Sequence, residues 1–276
     1  MEWRKLKNLI ILILLVVNGF LLVLVGSRWE ESIRYERTAL DQTVEVLRRS
    51  GIDVDLDAVS DGAGLTPITV ERDLDREAQL ARTLLGEEVQ GDNRGGGLYL
   101  YQGALGEVSI RSGGELSAEF EPDDYWSAEH PERHAAALLK KLGVSAEPVG
   151  TAETDRQTSL RFRQSWNGTA LFSCELELVY QEGRLCSLSG TLLMAEAGTA
   201  EAGQVLTLPT ALMRFSEEIT STGDVCSAIQ SMEAGYRGTA QSLSGGIRLT
   251  PVWLVSTNTA GYYLDCVTGT LTRLAE

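Results

Sequence analysis

The spacing of apolar and polar positions changes character along the chain, and each change predicts an element. Leu9 to Val25, LIILILLVVNGFLLVLV, runs 17 residues without a charge. From about Glu31 to Arg49 the apolar positions thin to a stripe (Ile33, Leu40, Val44 and Leu47) on one helix face, and Gly51 follows as a helix stop. An acidic stretch, IDVDLDAVSDGAG, reads as a solvated loop with Ile52, Val54 and Leu56 turned toward a core. Pro67 begins a new segment.

Beyond it, one layout is written three times, a helix and then strands with period two. Asp73 is placed to cap a helix that runs to Leu85 and stops at Gly86. After a GDNRGGG loop come LYLYQG, EVSIRS and ELSAEFE. Pro131 sits near the start of a second helix that ends at Lys141-Leu142-Gly143. The strands SLRFRQSW, TALFSCELELVY and RLCSLSGTLLM follow, with Asn167-Gly168 and Glu182-Gly183 as hairpin turns. Pro209 begins a third helix carrying Leu212, Phe215 and Ile219, before AIQSMEAGYR, GIRLTPVWLVST, GYYLDCV and TLTRL.

Helices followed by strand runs, without strict alternation, predict an α+β class: repeated helix-plus-antiparallel-strand units, two sheets, helices packed on one face. The polar EPVGTAETD segment between Ala146 and Asp155 marks the expected domain break. The predicted organisation is a cytoplasmic N-terminus (1–8), a transmembrane helix (9–25), a stalk helix (26–51) and two exported α+β domains (52–148 and 149–276).

At about 1.5 Å per residue the 17 uncharged residues reach about 25 Å, the short end for a membrane span. Trp3 and Trp29 flank the run about 39 Å apart along a helix, which suits the two headgroup zones. Arg4, Lys5 and Lys7 precede it, so the positive-inside rule keeps the N-terminus cytoplasmic and exports the rest. A cleaved signal peptide would share the basic start. Its apolar region would be shorter, however, and no small-residue cleavage site follows LVGSRWEE. A buried core helix leaves the basic cluster unexplained. Within the span, Asn18 sets an amide near the midplane beside Gly19. Leu15, Gly19, Leu22 and Gly26 share a face with Asn18 at its edge. That face is the candidate partner-binding surface, since an amide in hydrocarbon seeks a partner and glycine admits a close helix.

Composition removes several function classes. The 39 Asp and Glu against 24 Lys and Arg give a net charge of -15, a poor basis for nucleic-acid binding. His130 and His134 are the two histidines, four apart, outside any H-E-x-x-H pattern and without a third partner. Asp53, Asp55, Asp57 and Asp61 suggest a calcium loop, but Ala58 and Gly64 stand where its glycine and glutamate belong. No nucleophile elbow, P-loop or dinucleotide fingerprint occurs, and the carboxylates show no spacing that marks an acid pair. The expectation is therefore a non-enzyme with no metal and no cofactor. Cys174, Cys186, Cys226 and Cys266 permit disulfides in an exported chain, yet register about Glu182-Gly183 sets Cys174 opposite position 191, not Cys186. Buried free thiols are the alternative. Asn167-Gly168-Thr169 fits a glycosylation sequon as well as a turn.

The opening MEWRKLKNLIILILLVVNGFLL resembles the start of YycI-type regulatory proteins, as do VEVLRRSGIDVD, ARTLLGEEV and the LYLYQ strand. The C-terminal RLTPVWLVSTNTAGYYLDCVTGTL is similar to the closing hairpin of PepSY-like and YycI/YycH domains, through Pro251, Trp253, Tyr262, Asp265 and Gly269, with Cys266 where a small residue is usual. The resemblance implies a single-pass cell-membrane protein with its C-terminal part outside the cell. It implies modulation of a YycG/WalK-like sensor histidine kinase that governs cell-wall homeostasis, alongside a YycH-like accessory protein, through membrane-helix and ectodomain contacts. The alternative expectation is a PepSY-like module, within residues 150–276, that binds or inhibits a secreted protease or wall hydrolase.

Overall fold

The computed structural model describes residues 7, 11, 13–15, 17–20, 35, 37–60, 62, 64–122, 124–195, 197–201, 203, 205–241 and 246–274. The helix expected from about Glu31 to Arg49 is described over α1 (37–49), where Val44 and Leu47 turn inward and Gly51, at φ 83°, ends the helix. The acidic stretch that follows is less of a loop than expected. Strand β1 (Asp53–Val54) lies parallel to the later strand β12 (Ala228–Ala240), and Ser60 continues along it, its Oγ accepting the Ala234 N–H at 2.7 Å. Ile52 and Val54 are buried as predicted, but Leu56 is exposed, in a short 3-10 turn capped by Asp55. β2 (Ile68–Val70) precedes the first of the three units.

Each unit is a helix followed by a four-stranded antiparallel meander. The first is α2 (Leu74–Leu85) with β3 (Gln90–Gly95), β4 (Leu98–Gly103), β5 (Gly106–Ile110) and β6 (Glu115–Phe120). The second is α3 (Pro131–Lys141) with β7 (Ala146–Glu153), β8 (Gln157–Trp166), β9 (Thr169–Gln181) and β10 (Arg184–Thr191). After the two-residue β11 (Thr199–Ala200), the third is α4 (Leu208–Thr222) with β12, β13 (Ile247–Thr257), β14 (Gly261–Asp265) and β15 (Leu271–Arg273). The capping signals act as predicted. Asp73 accepts the Arg76 N–H at 3.0 Å, Pro131 stands in the first turn of α3, and Pro209 stands in that of α4. Asn167 and Gly168 (φ 51° and 80°) and Glu182 and Gly183 (φ 52° and 77°) adopt the left-handed pair that a two-residue hairpin requires.

Two expectations are corrected. The strands form one connected mixed sheet, not two, in the order β11-β2-β13-β12-β9-β10-β6-β5-β4-β3. The join is β9. Its C-terminal half pairs with β10 through Leu176 to Gln181, while Ala170 and Leu171 pair in parallel with Gly235 and Tyr236 of β12. β10 and β12 part at this strand. Gly190 marks the parting on one side: at φ 136°, a Cβ there would stand 2.0 Å from Glu175 O. On the other side the Ser173 Oγ accepts the Gly238 N–H at 2.7 Å. The polar segment 146–155 is also no connection. It is largely β7, an edge strand with mostly exposed side chains, and its polarity reflects an edge that meets water on both faces. The same reason hid β3, which the glycine-rich composition presented as a loop.

Three apolar clusters hold the assembly. Leu80, Leu84 and Leu85 of α2 and Leu138 and Leu139 of α3 pack with Val108, Ile110, Leu176, Leu178 and Leu188, so the first two units share a core. Leu47 of α1 and Leu212, Phe215 and Ile219 of α4 pack with Met232, Trp253, Val255, Tyr262 and Leu264. Val70, Leu171, Cys174, Leu193, Tyr236 and Leu249 form the cluster between. Each such large side chain, fully buried, contributes about 1.5–3 kcal/mol. One charged strap crosses the same region. Arg72, just after β2, holds the buried Glu77 of α2 with Nε and Nη2 at 2.6 and 2.8 Å, and its Nη1 donates to Gly97 O at 2.7 Å.

Candidate interaction site

The predicted partner-binding face is described in part. Residues 7, 11, 13–15 and 17–20 are helical, and within them Leu15, Asn18 and Gly19 fall one turn apart on one face. Leu22 and Gly26 lie outside the described residues, as do Trp3, Trp29 and part of the predicted span. Among the described residues no helix is long and apolar enough to cross a membrane. The described apolar side chains of this stretch are all exposed, with Leu15 at 66% and Phe20 at 64%. A Cβ on Gly19 would meet nothing within 4 Å. Among the described residues, nothing covers this apolar face.

The C-terminal hairpin motif has a local physical basis. Trp253 pairs with Leu264 and Val255 with Tyr262, and both aromatic side chains are buried in the α4 core. The Tyr262 hydroxyl donates to Asp224 at 3.0 Å. Asp265 Oδ1 accepts the N–H groups of Val267 and Thr268 at 2.7 and 2.8 Å, and Gly269, at φ 73°, donates its N–H to Asp265 O at 2.9 Å. Asp265 and Gly269 thus build the turn between β14 and β15. Cys266 is buried where the expected small residue would sit, its thiol pushed up to about 12 by burial.

The residues weighed for metal chemistry are separated. His134 turns inward, with Nδ1 2.9 Å from the Tyr180 hydroxyl and its ring edge-on to Trp126, and burial pushes its pKa down. His130 is the exposed N-cap residue of α3. Asp53 and Asp57 are exposed, Asp55 caps its own turn, and Asp61 lies outside the described residues. No group of three His, Cys, Asp or Glu is placed to hold a metal among the described residues. The four cysteines are free thiols; Cys186 occupies the bulge of β10 between Leu185 and Ser187, and burial raises Cys174 to about 11. Sequence reasoning missed the Arg72–Glu77 strap, because no local spacing announces that a loop arginine turns inward.

No protein-family model matches the chain, and no curated protein matches it. Among solved structures, an uncharacterized protein from Eubacterium rectale is similar with a TM-score of 0.49 and 14% identity, over 82% of this chain and 91% of that one. The C-terminal domain of YpeB from Bacillus megaterium is similar with a TM-score of 0.36 and 13% identity, over 75% of this chain and 100% of that one.

Proposed function

We propose that the chain is a membrane-anchored, extracytoplasmic accessory protein of the YycI type. It modulates a WalK-like sensor histidine kinase together with a YycH-like partner, and it has no catalytic role. The observation that carries this reading is the uncovered apolar helix face at Leu15, Asn18 and Gly19, ahead of a folded α+β body. Such a surface is stable only in lipid or against another helix. An intramembrane hydrogen bond from Asn18 averages about 0.6 kcal/mol, about threefold in affinity, so it cannot carry the contact alone. Close approach at Gly19 supplies the rest. Asn18→Leu together with Gly19→Leu is expected to abolish co-purification of the kinase from detergent-solubilised membranes. Undiminished recovery would remove the membrane helix from the contact.

The second reading, a PepSY-like module acting on a secreted enzyme, is favoured by the C-terminal hairpin. Residues 150–276 alone are a poor test of it, because α2 and α3 share their core with β8 to β10. The whole folded part, 37–276, is the fragment to assay against wall hydrolases and proteases. Failure to bind or inhibit either class removes this reading.

A further inference from the structure

Among the described residues, the strands paired on one side only are β1, β3, β7, β11 and β15. β1 and β11 are two residues long and β15 three, too short to seat a further strand. β7 is eight residues long, but Pro148 lacks an N–H and a bulge follows it before Gly150. Its charges, Glu147 and Glu153, are of one sign. These devices keep an edge from pairing. β3 differs. It has six residues with no proline and no lysine, and all six are exposed. Its one irregularity, between Asn93 and Gly95, lies at the hairpin end. Its charges are of opposite sign: Asp92 and Arg94, 62% and 55% exposed, meet at 3.2 Å from carboxylate to Nε.

The strand is held in place before any partner arrives. Gly96 and Gly97, at φ 58° and 79°, form the two-residue turn that leads back into β4. Arg72 Nη1 donates to Gly97 O at 2.7 Å and ties this turn to the buried strap. Asn93 Nδ2 donates to the Tyr99 hydroxyl at 3.0 Å, and Asn93 Oδ1 accepts the Gly95 N–H at 2.9 Å. Gly91 lies against the Tyr101 ring, where a Cβ would come within 2.9 Å. Gly91 and Asn93 thus face the tyrosines, and Asp92 alternates to the other, solvent face.

We propose that β3 pairs antiparallel with β3 of a second copy of this chain, about a two-fold axis at Asn93, and so joins two sheets edge to edge. An edge strand offers the backbone N–H and C=O groups of alternate residues for such a pairing. The two-fold sets Asp92 opposite Arg94 of the second copy, Arg94 opposite its Asp92, and Gly91 opposite its Gly95. Each carboxylate then has a cation on its own strand and another across the seam. The neighbouring registers lose this match. An axis one residue earlier sets Asp92 against Asp92, and one residue later sets Arg94 against Arg94, with like charges directly opposite. The seam is neutral in a chain of net charge -15, so the two copies meet where repulsion is least. Six residues make a small contact, which places it in the weak, concentration-dependent class, and the firm seating of β3 keeps its ordering cost low. The inference does not depend on the kinase reading and can fail or hold without it.

The test is sedimentation velocity of the full-length protein in a neutral detergent, at concentrations up to about 0.5 mM. Reversible dimer formation is expected. Arg94→Asp sets acids against acids across the seam and Asp92→Arg sets cations against cations, so each alone should weaken association by about tenfold or more. Both positions are exposed, so the fold is retained. An equimolar mixture of the two variants should associate again as a mixed dimer, because the acids of one then face the cations of the other. The exchange of both charges in one chain, Asp92→Arg with Arg94→Asp, should associate like the wild type. Glu153→Arg, on the edge of β7, should leave affinity within about twofold. Absence of concentration-dependent association, undiminished association in the single variants, or failure of their mixture to associate would overturn the pairing.

Discussion

Substituting Glu77 by Gln keeps the side chain's shape and removes its charge, leaving Arg72 as an uncompensated cation. Exposure is 3% for the Glu77 side chain and 13% for Arg72, so water cannot take the lost partner's place. Breaking such a buried pair costs about 3–5 kcal/mol, a large part of the 5–15 kcal/mol that holds an ordinary domain folded. With a urea m-value of about 3 kcal/mol/M, the midpoint should fall by about 1–1.7 M. Arg72→Met alone should cost a similar amount by stranding the carboxylate and the Gly97 carbonyl. Arg72→Met with Glu77→Leu removes both charges and fills the space with carbon. It should cost no more than about 1–2 kcal/mol, chiefly the carbonyl that Arg72 satisfied. The assay is urea unfolding followed by tryptophan emission, arranged as a double-mutant cycle. Single variants within about 1 kcal/mol of wild type, or a double variant that loses the sum of the singles, would refute the strap as a coupled charge pair.

Three further outcomes follow from the same structure. Burial holds the folded pKa of His134 below its unfolded value near 6.5, so the unfolded chain takes up the proton first. The stability that the neutral imidazole provides is complete above about pH 6.5 and is lost as pH falls toward the folded value; thermal melts between about pH 7.5 and 5 should show this fall, and His134→Gln should flatten it. Cys174 and Cys266, buried with thiols raised to about 11 and about 12, should stay silent to a thiol reagent in the native protein at about pH 8 and react on unfolding, whereas fast labelling of all four cysteines would contradict the core described above. Gly190→Ala forces a Cβ to 2.0 Å from Glu175 O at φ 136° and should destabilise by more than about 2 kcal/mol; an unchanged melt would mean that β9 and β10 do not approach as closely as described.

The parts of the fold legible in the sequence are those set by neighbours in the chain. Asp73 and Gly86 bound α2 because a side-chain cap and a positive-φ glycine act within one turn. Asn167-Gly168 and Glu182-Gly183 fix two hairpins because positive φ is a local demand. The repeated layout was readable for the same reason. What joins the units was not. The parallel contact of Ala170 and Leu171 with Gly235 and Tyr236 links residues far apart in sequence, and nothing in either strand's alternation marks it. β3 and β7 escaped notice because edge strands bury neither face, which erases the period-two signal. At the candidate site, the apolar run and Asn18-Gly19 are plain in the sequence. The groove between α2, the C-terminal end of α3 and the β8–β9 turn is not, because its walls come from separate segments that meet only in the fold.

The central claim is that the chain reaches a sensor kinase through its membrane helix. The most direct measurement compares affinity purification of the native full-length protein from solubilised membranes with that of the same protein carrying an unrelated span in place of residues 9–25. The account predicts a sensor histidine kinase, with a YycH-like protein, in the native eluate and its loss from the exchanged one. Equal recovery from both would place the contact in the exported body, and no kinase in either would contradict the account.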